Sequence, residues 1–171
     1  MKIYFIRHGA DDDRYRGGWS ALGLIESGRR QAEELASFFK ANEGRYPVSK
    51  IITSDLGRAM ETAAPVARVL GVDVLPSPDW RETNNGVLAG MLNVEALEKY
   101  PGVFWGSLEM DERYPGGESP AAFYDRIRAV LMNFVEDGHN DLVAVVTHSG
   151  VINVIYHIVR DIKWSNKNKS F

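Results

Sequence analysis

The chain opens with Lys2-Ile3-Tyr4-Phe5-Ile6-Arg7-His8-Gly9, in which a short apolar run leads into an arginine, a histidine and a glycine. A continuous apolar run of this length is typical of a strand that is buried on both faces of a sheet. A second such run, Leu142 to Val146, is followed by Thr147-His148-Ser149-Gly150. Each of these histidines therefore comes directly after a predicted strand.

Predicted strands and helices alternate along the rest of the chain. The apolar periodicity predicts strands at about 3–6, 50–53, 72–75 and 142–146, and helices at about 26–42, 56–70, 94–100, 120–137 and 151–160. Pro65 lies inside the second helix and is expected to kink or restart it there. Ser119 and Pro120 are expected to begin the fourth helix, as N-cap and first helical residue.

This alternation predicts an α/β protein, a three-layer α/β/α sandwich around a mainly parallel sheet. Ligands of such sheets bind beyond the carboxyl ends of the strands, where His8 and His148 are expected. We find no internal repeat, low-complexity segment or linker, so residues 1–171 are interpreted as a single domain.

The composition excludes several functional classes. Twenty Lys and Arg against 23 Asp and Glu give a net charge of −3, which argues against nucleic acid or a membrane surface as partner. The absence of cysteine excludes disulfides, thiolate metal sites and cysteine nucleophiles. We recognise no signal peptide and no apolar stretch that would span a bilayer, so a cytoplasmic protein is expected.

His8 is the candidate nucleophile, because an imidazole can attack phosphorus and the adjacent Arg7 can pair with phosphoryl oxygens. The alternative is a histidine that backbone hydrogen bonds satisfy at the end of a strand. Gly9 is expected to let the backbone approach a bound phosphate, and to adopt a positive φ. Backbone N–H groups near Ser149 and Gly150 are expected to add anion-binding donors.

Two further charged residues fit the same site. Arg58 lies just past a predicted strand, where it could hold a phosphoryl oxygen; the alternative is a solvated surface arginine. Glu82 is the candidate proton donor to the leaving oxygen; the alternative is a loop carboxylate paired with Arg81. Spacing alone does not decide between these roles for Glu82.

Five segments in this order resemble the histidine phosphatase superfamily, the phosphoglycerate-mutase-like group, over nearly the whole chain. The segments are Arg7-His8-Gly9, Ser54 to Ala63 with Arg58, Trp80-Arg81-Glu82, Pro115-Gly116-Gly117-Glu118-Ser119 and Thr147-His148-Ser149-Gly150. The Pro115–Ser119 segment resembles the phosphatase branch, which includes alpha-ribazole phosphatase and broad-specificity phosphatases.

The resemblance implies catalysis through a phosphohistidine. His8 would attack phosphorus while Arg7, Arg58 and His148 hold the phosphoryl oxygens. Glu82 would protonate the leaving oxygen and then help to activate water. The cationic side chains would stabilise the negative charge of the transition state, so neither a metal nor a cofactor is expected. The two guanidinium groups are expected to keep His8 unprotonated.

The chain departs from the family pattern in three places. Ala10-Asp11 follows Gly9 where many members have Glu-Thr, and Leu24-Ile25-Glu26 lacks the usual capping hydroxyl before the first helix. Relatives usually add a strand after the last helix, so we expect that strand to be missing or frayed in the polar segment from Lys163 to Lys169. An open sheet edge would then allow a homodimer.

The expected function is hydrolysis of a small-molecule phosphate ester. Phosphoglycerate mutase-type phosphotransfer is the alternative within the family, and a non-catalytic phospho-ligand sensor is the alternative from another class. The acidic run Asp11-Asp12-Asp13 favours monophosphates over bisphosphates if it borders the site. The aromatic residues Tyr15, Trp19, Phe104 and Trp105 are more often packing residues, but if they are exposed they favour a leaving group with a flat or apolar part.

Overall fold

The computed structural model describes residues 2–137 and 142–168. Its sheet has four parallel strands in the order β1-β4-β2-β3, namely β1 (Lys2–Arg7), β2 (Lys50–Ser54), β3 (Val74–Ser77) and β4 (Leu142–Thr147). The helices are α1 (Glu26–Ala41), α2 (Gly57–Leu70), α3 (Asn93–Lys99), α4 (Pro120–Glu136) and α5 (Ser149–Val159), with 3-10 turns at Pro78–Trp80 and Gly86–Leu88. The predicted α/β fold is confirmed.

The alternating residues of β4 show how the layers form. Val143 and Val145 pack into a core shared with α4 and α5, whereas Ala144 and Val146 pack into a core shared with α1 and α2. All four side chains are fully buried. Because successive side chains of a strand point to opposite faces, an unbroken apolar strand requires helices on both sides of the sheet.

Around α2 and β3 the structure differs from the sequence-based prediction. Gly71 ends α2 in the left-handed conformation, and the backbone N–H of Val72 donates to the Ala67 carbonyl at 3.2 Å. Val72 therefore belongs to the helix cap, and β3 begins at Val74 rather than at Val72. The helix runs through the buried Pro65 without a restart.

The start of α4 follows the prediction. The hydroxyl oxygen of Ser119 accepts a hydrogen bond from the backbone N–H of Ala122 at 3.2 Å, and Pro120 is the first helical residue. This end of α4 is fixed next to the loop that follows β3, which matters for the site described below.

The expected fraying does not occur in residues 164–166. Trp164 is buried and donates from its indole N–H to the Asn153 side chain at 2.9 Å. Asn166 is buried as well, and its amide donates to the carbonyls of Trp105 at 2.6 Å and Leu108 at 2.8 Å. This segment therefore closes the core under α4 and α5, although no strand follows β4 within residues 142–168.

Two further expectations concern the edges of the sheet and a membrane span. β1 and β3 are the outer strands of the described sheet. A homodimer that forms along an open edge remains a prediction. In the described residues, no helix has both the length and the apolar character needed to cross a membrane.

Candidate active site

The carboxyl ends of β1 and β4 bring the two predicted histidines together. Arg7 is in register with Thr147, and the backbone N–H of His8 donates to the Thr147 carbonyl at 3.0 Å. The imidazole rings of His8 and His148 lie with centroids 5.0 Å apart and planes at 60°. Two residues 140 positions apart in sequence thus share one site because their strands are neighbours in the sheet.

Two hydrogen bonds fix the tautomer of His8. Nδ1 lies 2.7 Å from the carbonyl oxygen of Gly9, which can only accept, so Nδ1 carries the proton. Nε2 accepts a hydrogen bond from Nε of Arg58 at 3.2 Å, so Nε2 carries the lone pair. The neutral ring therefore presents Nε2 as its nucleophilic atom.

The surroundings also keep His8 neutral. Burial is the largest influence and, with the charges of Arg58 and Arg7, lowers the pKa of His8 from 6.5 to about 4. The hydrogen bond to the Gly9 carbonyl and the charge of Asp11 act against this shift in the pKa of His8. The two arginines alone were expected to keep the ring unprotonated, but desolvation lowers the pKa of His8 more than their charges do.

His148 is fully buried and has one ring nitrogen without a partner. Nε2 lies 2.9 Å from the hydroxyl oxygen of Ser54 at the end of β2, while Nδ1 has no hydrogen-bond partner among the described residues. Burial, followed by the charges of Arg58 and His8, holds the pKa of His148 well below 6.5. A proton on Nδ1 would let this ring donate to a ligand oxygen, with Nε2 accepting from Ser54.

Arg58 is a buried residue of the site and not a solvated surface arginine. Only 2% of it is exposed, and its guanidinium donates to His8 and, at 2.7 Å, to the Gly18 carbonyl. A carboxylate oxygen of Asp11 lies 3.5 Å from Nε of Arg58. The acidic run after Gly9 therefore reaches the site through Asp11.

Arg7 differs from Arg58 in its surroundings. Its side chain is exposed, yet its charge contributes to the lowered pKa of both His8 and His148. The structure thus supplies one fixed and one accessible guanidinium beside the two imidazole rings. This is an arrangement suited to a tetrahedral anion.

Glu82 lies at the N-terminus of α5 and does not pair with Arg81. Its two carboxylate oxygens accept hydrogen bonds at 3.0 Å, one from the backbone N–H of Thr83 and one from that of Gly150. Arg81 instead forms a two-pronged ion pair with Asp55, at 2.6 and 2.5 Å. The N–H of Gly150, which we expected to bind a ligand anion, is thus used by Glu82.

Gly9 has a packing role that the sequence analysis did not predict. Its φ is not positive, and its N–H donates to the hydroxyl oxygen of Thr62 at 3.0 Å. A Cβ at position 9 would lie 2.5 Å from the carbonyl oxygen of Gly28 in α1. The expected positive φ is therefore wrong, and the glycine is required because two backbones approach closely.

Arg126 of α4 is a residue that sequence reasoning missed. It forms an ion pair with Glu118 at 2.7 Å. It also donates to three carbonyls of the loop after β3, those of Asp79 at 3.0 Å, Arg81 at 3.2 Å and Glu82 at 3.1 Å. A cation beside the apolar stripe of α4 was the available signal, but the three carbonyls to which it donates lie over 40 residues away.

A cavity of about 230 Å³ opens beside Glu82. Its lining includes Arg16, Gly18, Glu82, Trp105, Tyr114 and Gly150. The Gly18 carbonyl also receives a hydrogen bond from Arg58, so this cavity adjoins the histidine pair. Within residues 2–137 and 142–168, no group of three His, Asp or Glu side chains is placed to hold a metal ion.

Known proteins resemble the chain over nearly its whole length. A family model described as "Histidine phosphatase superfamily (branch 1)" matches residues 3–169. Phosphoglycerate mutase-like protein 4 of Arabidopsis thaliana is 32% identical over 166 residues, which cover 93% of this chain and 71% of that protein. Phosphoserine phosphatase 1 of Hydrogenobacter thermophilus is 29% identical over 161 residues, covering 91% and 74%.

A solved structure shares the fold as well. The mycobacterial glucosyl-3-phosphoglycerate phosphatase superposes with a TM-score of 0.74 at 26% sequence identity, covering 93% of this chain and 79% of that one. One of the two relatives and the solved structure are thus named as phosphatases.

Proposed function

Because the chain belongs to the histidine phosphatase superfamily and is an enzyme of the phosphatase class, we propose that it is a metal-independent phosphomonoesterase. It hydrolyses a small phosphorylated metabolite through a phosphohistidine intermediate. The observation that carries this proposal is the state of His8, whose Nε2 lone pair is fixed by Arg58 at 3.2 Å beside the ring of His148.

In the first step, Arg58 transfers its hydrogen bond from Nε2 of His8 to a phosphoryl oxygen, the freed lone pair of Nε2 attacks phosphorus, and the bond between phosphorus and the ester oxygen breaks. The departing oxygen takes a proton from the carboxylic acid of Glu82, so an alcohol leaves. Arg7, Arg58 and His148 hold the remaining phosphoryl oxygens and stabilise the charge that they carry. His8 needs no base to become a nucleophile, since the lowered pKa keeps its ring neutral.

In the second step, water attacks phosphorus and gives a proton to the carboxylate of Glu82. The bond from Nε2 to phosphorus breaks, inorganic phosphate leaves, and His8 returns to its neutral form. Glu82 is only partly buried, so water can reach it in the free enzyme. This access favours hydrolysis over mutase-type transfer, in which water must be excluded.

The acidic run after Gly9 supports monophosphate substrates. Asp12 is paired with Arg14 at 2.5 Å, whereas Asp11 lies 3.5 Å from Nε of Arg58. A second phosphoryl group near Asp11 would meet a like charge. We therefore expect a higher kcat/KM for a monophosphate than for the matching bisphosphate, and equal values would contradict this part of the proposal.

The test is hydrolysis of p-nitrophenyl phosphate in the presence of EDTA by the wild type and by His8→Ala. Arg14→Met, a change at an exposed arginine that pairs with Asp12, is the control. The proposal predicts turnover in the wild type and the control, and none above background in His8→Ala. Tight phosphate binding without turnover in the wild type would instead support the sensor, and transfer to an added alcohol in place of water would support the mutase.

A further inference from the structure

The reaction leaves one cation of the site without a role. Arg16 lines the cavity of about 230 Å³ that also contains Glu82 and Gly150. Its backbone is fixed, because its N–H donates to the Met91 carbonyl and its carbonyl accepts from Gly90, both at 2.8 Å. The loop from residue 11 to 23 therefore holds Arg16 at a defined place beside the proton donor.

The guanidinium of Arg16 packs against one aromatic ring and has no polar partner among the described residues. It lies 4.8 Å from the centroid of the Phe104 ring. Its Nε is buried without a hydrogen-bond partner, and it forms no ion pair, among the residues that the structure describes. A partly buried cation without a carboxylate is unfavourable in the free protein, so this one is suited to a ligand that brings a negative charge.

Nearby acidic side chains are engaged elsewhere. Asp12 is bound to Arg14, and Asp11 lies against Arg58. Glu82, on the same cavity, accepts its hydrogen bonds from backbone N–H groups. Burial is the main cause that raises the pKa of Tyr114 to about 12. The charge of Glu82 raises this pKa as well, whereas the charge of Arg16 lowers it.

The walls of the cavity suit a small, flat group. Trp105 and Tyr114 stack at 6.4 Å with planes 10° apart, and both line the cavity. A carboxylate is planar and matches the edge of a guanidinium with two parallel hydrogen bonds. It also needs less room than a second phosphoryl group would in about 230 Å³.

We propose that Arg16 binds a carboxylate on the leaving group, so that the enzyme prefers small phosphate esters of hydroxy acids. This inference rests on the phosphatase function proposed above, because it places the ester oxygen at Glu82 and the carboxylate at Arg16. Arg16 is then a specificity-determining residue that touches the part of the substrate that does not react.

The test uses two esters that differ at one carbon. In 3-phosphoglycerate a carboxylate replaces the hydroxymethyl group of glycerol 3-phosphate. The measured quantity is the ratio of kcat/KM for the two esters in the wild type, in Arg16→Met, in Arg16→Lys and in Arg128→Met. Arg128 is the control, because it is an exposed arginine of α4 and its replacement removes the same charge while leaving the pair of Asp12 with Arg14 in place.

We expect the wild type to prefer 3-phosphoglycerate by about tenfold or more, the scale of a charge-assisted hydrogen-bonded pair. Arg16→Met should bring the ratio close to one, Arg16→Lys should give an intermediate ratio, and Arg128→Met should leave it unchanged. A wild-type ratio near one, or an equal ratio in the wild type and Arg16→Met, would overturn the assignment of Arg16.

A binding measurement separates this inference from the phosphatase function. Calorimetry with His8→Ala, alone and combined with Arg16→Met, gives the affinities of both esters without turnover. Tighter binding of 3-phosphoglycerate that depends on Arg16 supports the carboxylate site, even if the wild type hydrolyses neither ester and the phosphatase proposal fails. Equal affinities for the two esters in His8→Ala overturn the carboxylate site whatever the turnover.

Discussion

His8 shows how backbone and side chain together prepare one atom for reaction. The Gly9 carbonyl accepts a hydrogen bond from the N–H at Nδ1, and Arg58 donates a hydrogen bond to Nε2. Neither bond follows from the triplet Arg7-His8-Gly9, because one depends on ring orientation and the other on a residue 50 positions away. The sequence predicted that these residues form a site, but the reacting nitrogen could be identified only from the structure.

The buried neutral histidine should make the protein sensitive to acid. The pKa of His8 is about 4 when folded against an ordinary 6.5, so between these values the unfolded chain binds a proton that the folded chain does not. The free energy of unfolding therefore falls as the pH drops from 6.5 towards 4. The share of His8 is about 3 kcal/mol.

His8→Gln should remove the contribution of His8 to this pH-dependent loss in the free energy of unfolding. In urea denaturation at pH 7 and at pH 4, we expect the wild type to lose about 3 kcal/mol more than the variant does. His148, whose pKa is lowered in the same direction chiefly by burial and by Arg58, keeps both of these influences in the variant, so that most of its contribution is common to the two proteins. Equal losses in the wild type and the variant would show that His8 titrates normally in the folded protein.

At the scale of elements, the first turns of α4 hold the loop that carries Glu82. Glu118 and Arg126 form the ion pair, and Arg126 also ties down the carbonyl of Glu82 itself. On the other side of this loop, the indole N–H of Trp19 donates to the same carbonyl at 2.6 Å. The carboxylate of Glu82 is thus positioned through its backbone.

Arg126→Met should therefore impair catalysis at a distance. It frees the loop carbonyls and leaves Glu118 without its partner, so we expect kcat to fall about tenfold or more, because a small displacement of a catalytic group is costly. The free energy of unfolding should drop by about 2 kcal/mol. Steady-state kinetics and urea denaturation measure the two effects.

Arg128→Met is the control for this variant. Arg128 lies on the same helix and is exposed, so its replacement should change stability by less than about 0.5 kcal/mol and leave kcat unaltered. If Arg126→Met behaves like Arg128→Met, the ion pair does not position Glu82.

A second contact between elements joins α1 to the segment after β1. A Cβ at Gly28 would lie 2.1 Å from the carbonyl oxygen of Ala10, which is far closer than atoms can approach. Alanine is favoured over glycine inside a helix by about 1 kcal/mol, so helix propensity alone predicts that Gly28→Ala stabilises the protein.

We expect the opposite sign for Gly28→Ala. The clash should lower the free energy of unfolding by about 2 kcal/mol or more, measured by urea denaturation. Gly44→Ala, where the added methyl group would meet no atom within 4 Å, is the matched control and should be close to neutral. A stabilised Gly28→Ala variant would mean that the two backbones can separate at little cost.

These elements also show what periodicity can predict. The stripes of α1 and α4 and the apolar runs of β1 and β4 are local signals, so their positions were predicted to within a few residues. The start of β3 was not, because the cap of α2 uses Val72 in competition with the strand. Such competition is decided by hydrogen bonds that no local pattern contains.

For the whole molecule, the parallel sheet determines where the chemistry is located. The central strands β4 and β2 and their neighbour β1 end at one edge, where they deliver His148, Ser54 and His8. Alternation of strands and helices predicted this edge but not the strand order, which depends on how the helices pack. The packed segment around Trp164 and the cavity with Arg16 were likewise beyond the sequence, because each combines distant loops.

The central claim concerns the atom that receives the phosphoryl group. Rapid quenching in alkali during turnover of an aryl phosphate, followed by peptide mapping with mass spectrometry and phosphorus NMR, would locate it. We predict a phosphoenzyme that carries the group on Nε2 of His8 and that is absent from His8→Ala. A phosphoryl group on Nδ1, on His148 or on any other residue, or turnover with no phosphoenzyme at all, would contradict this account.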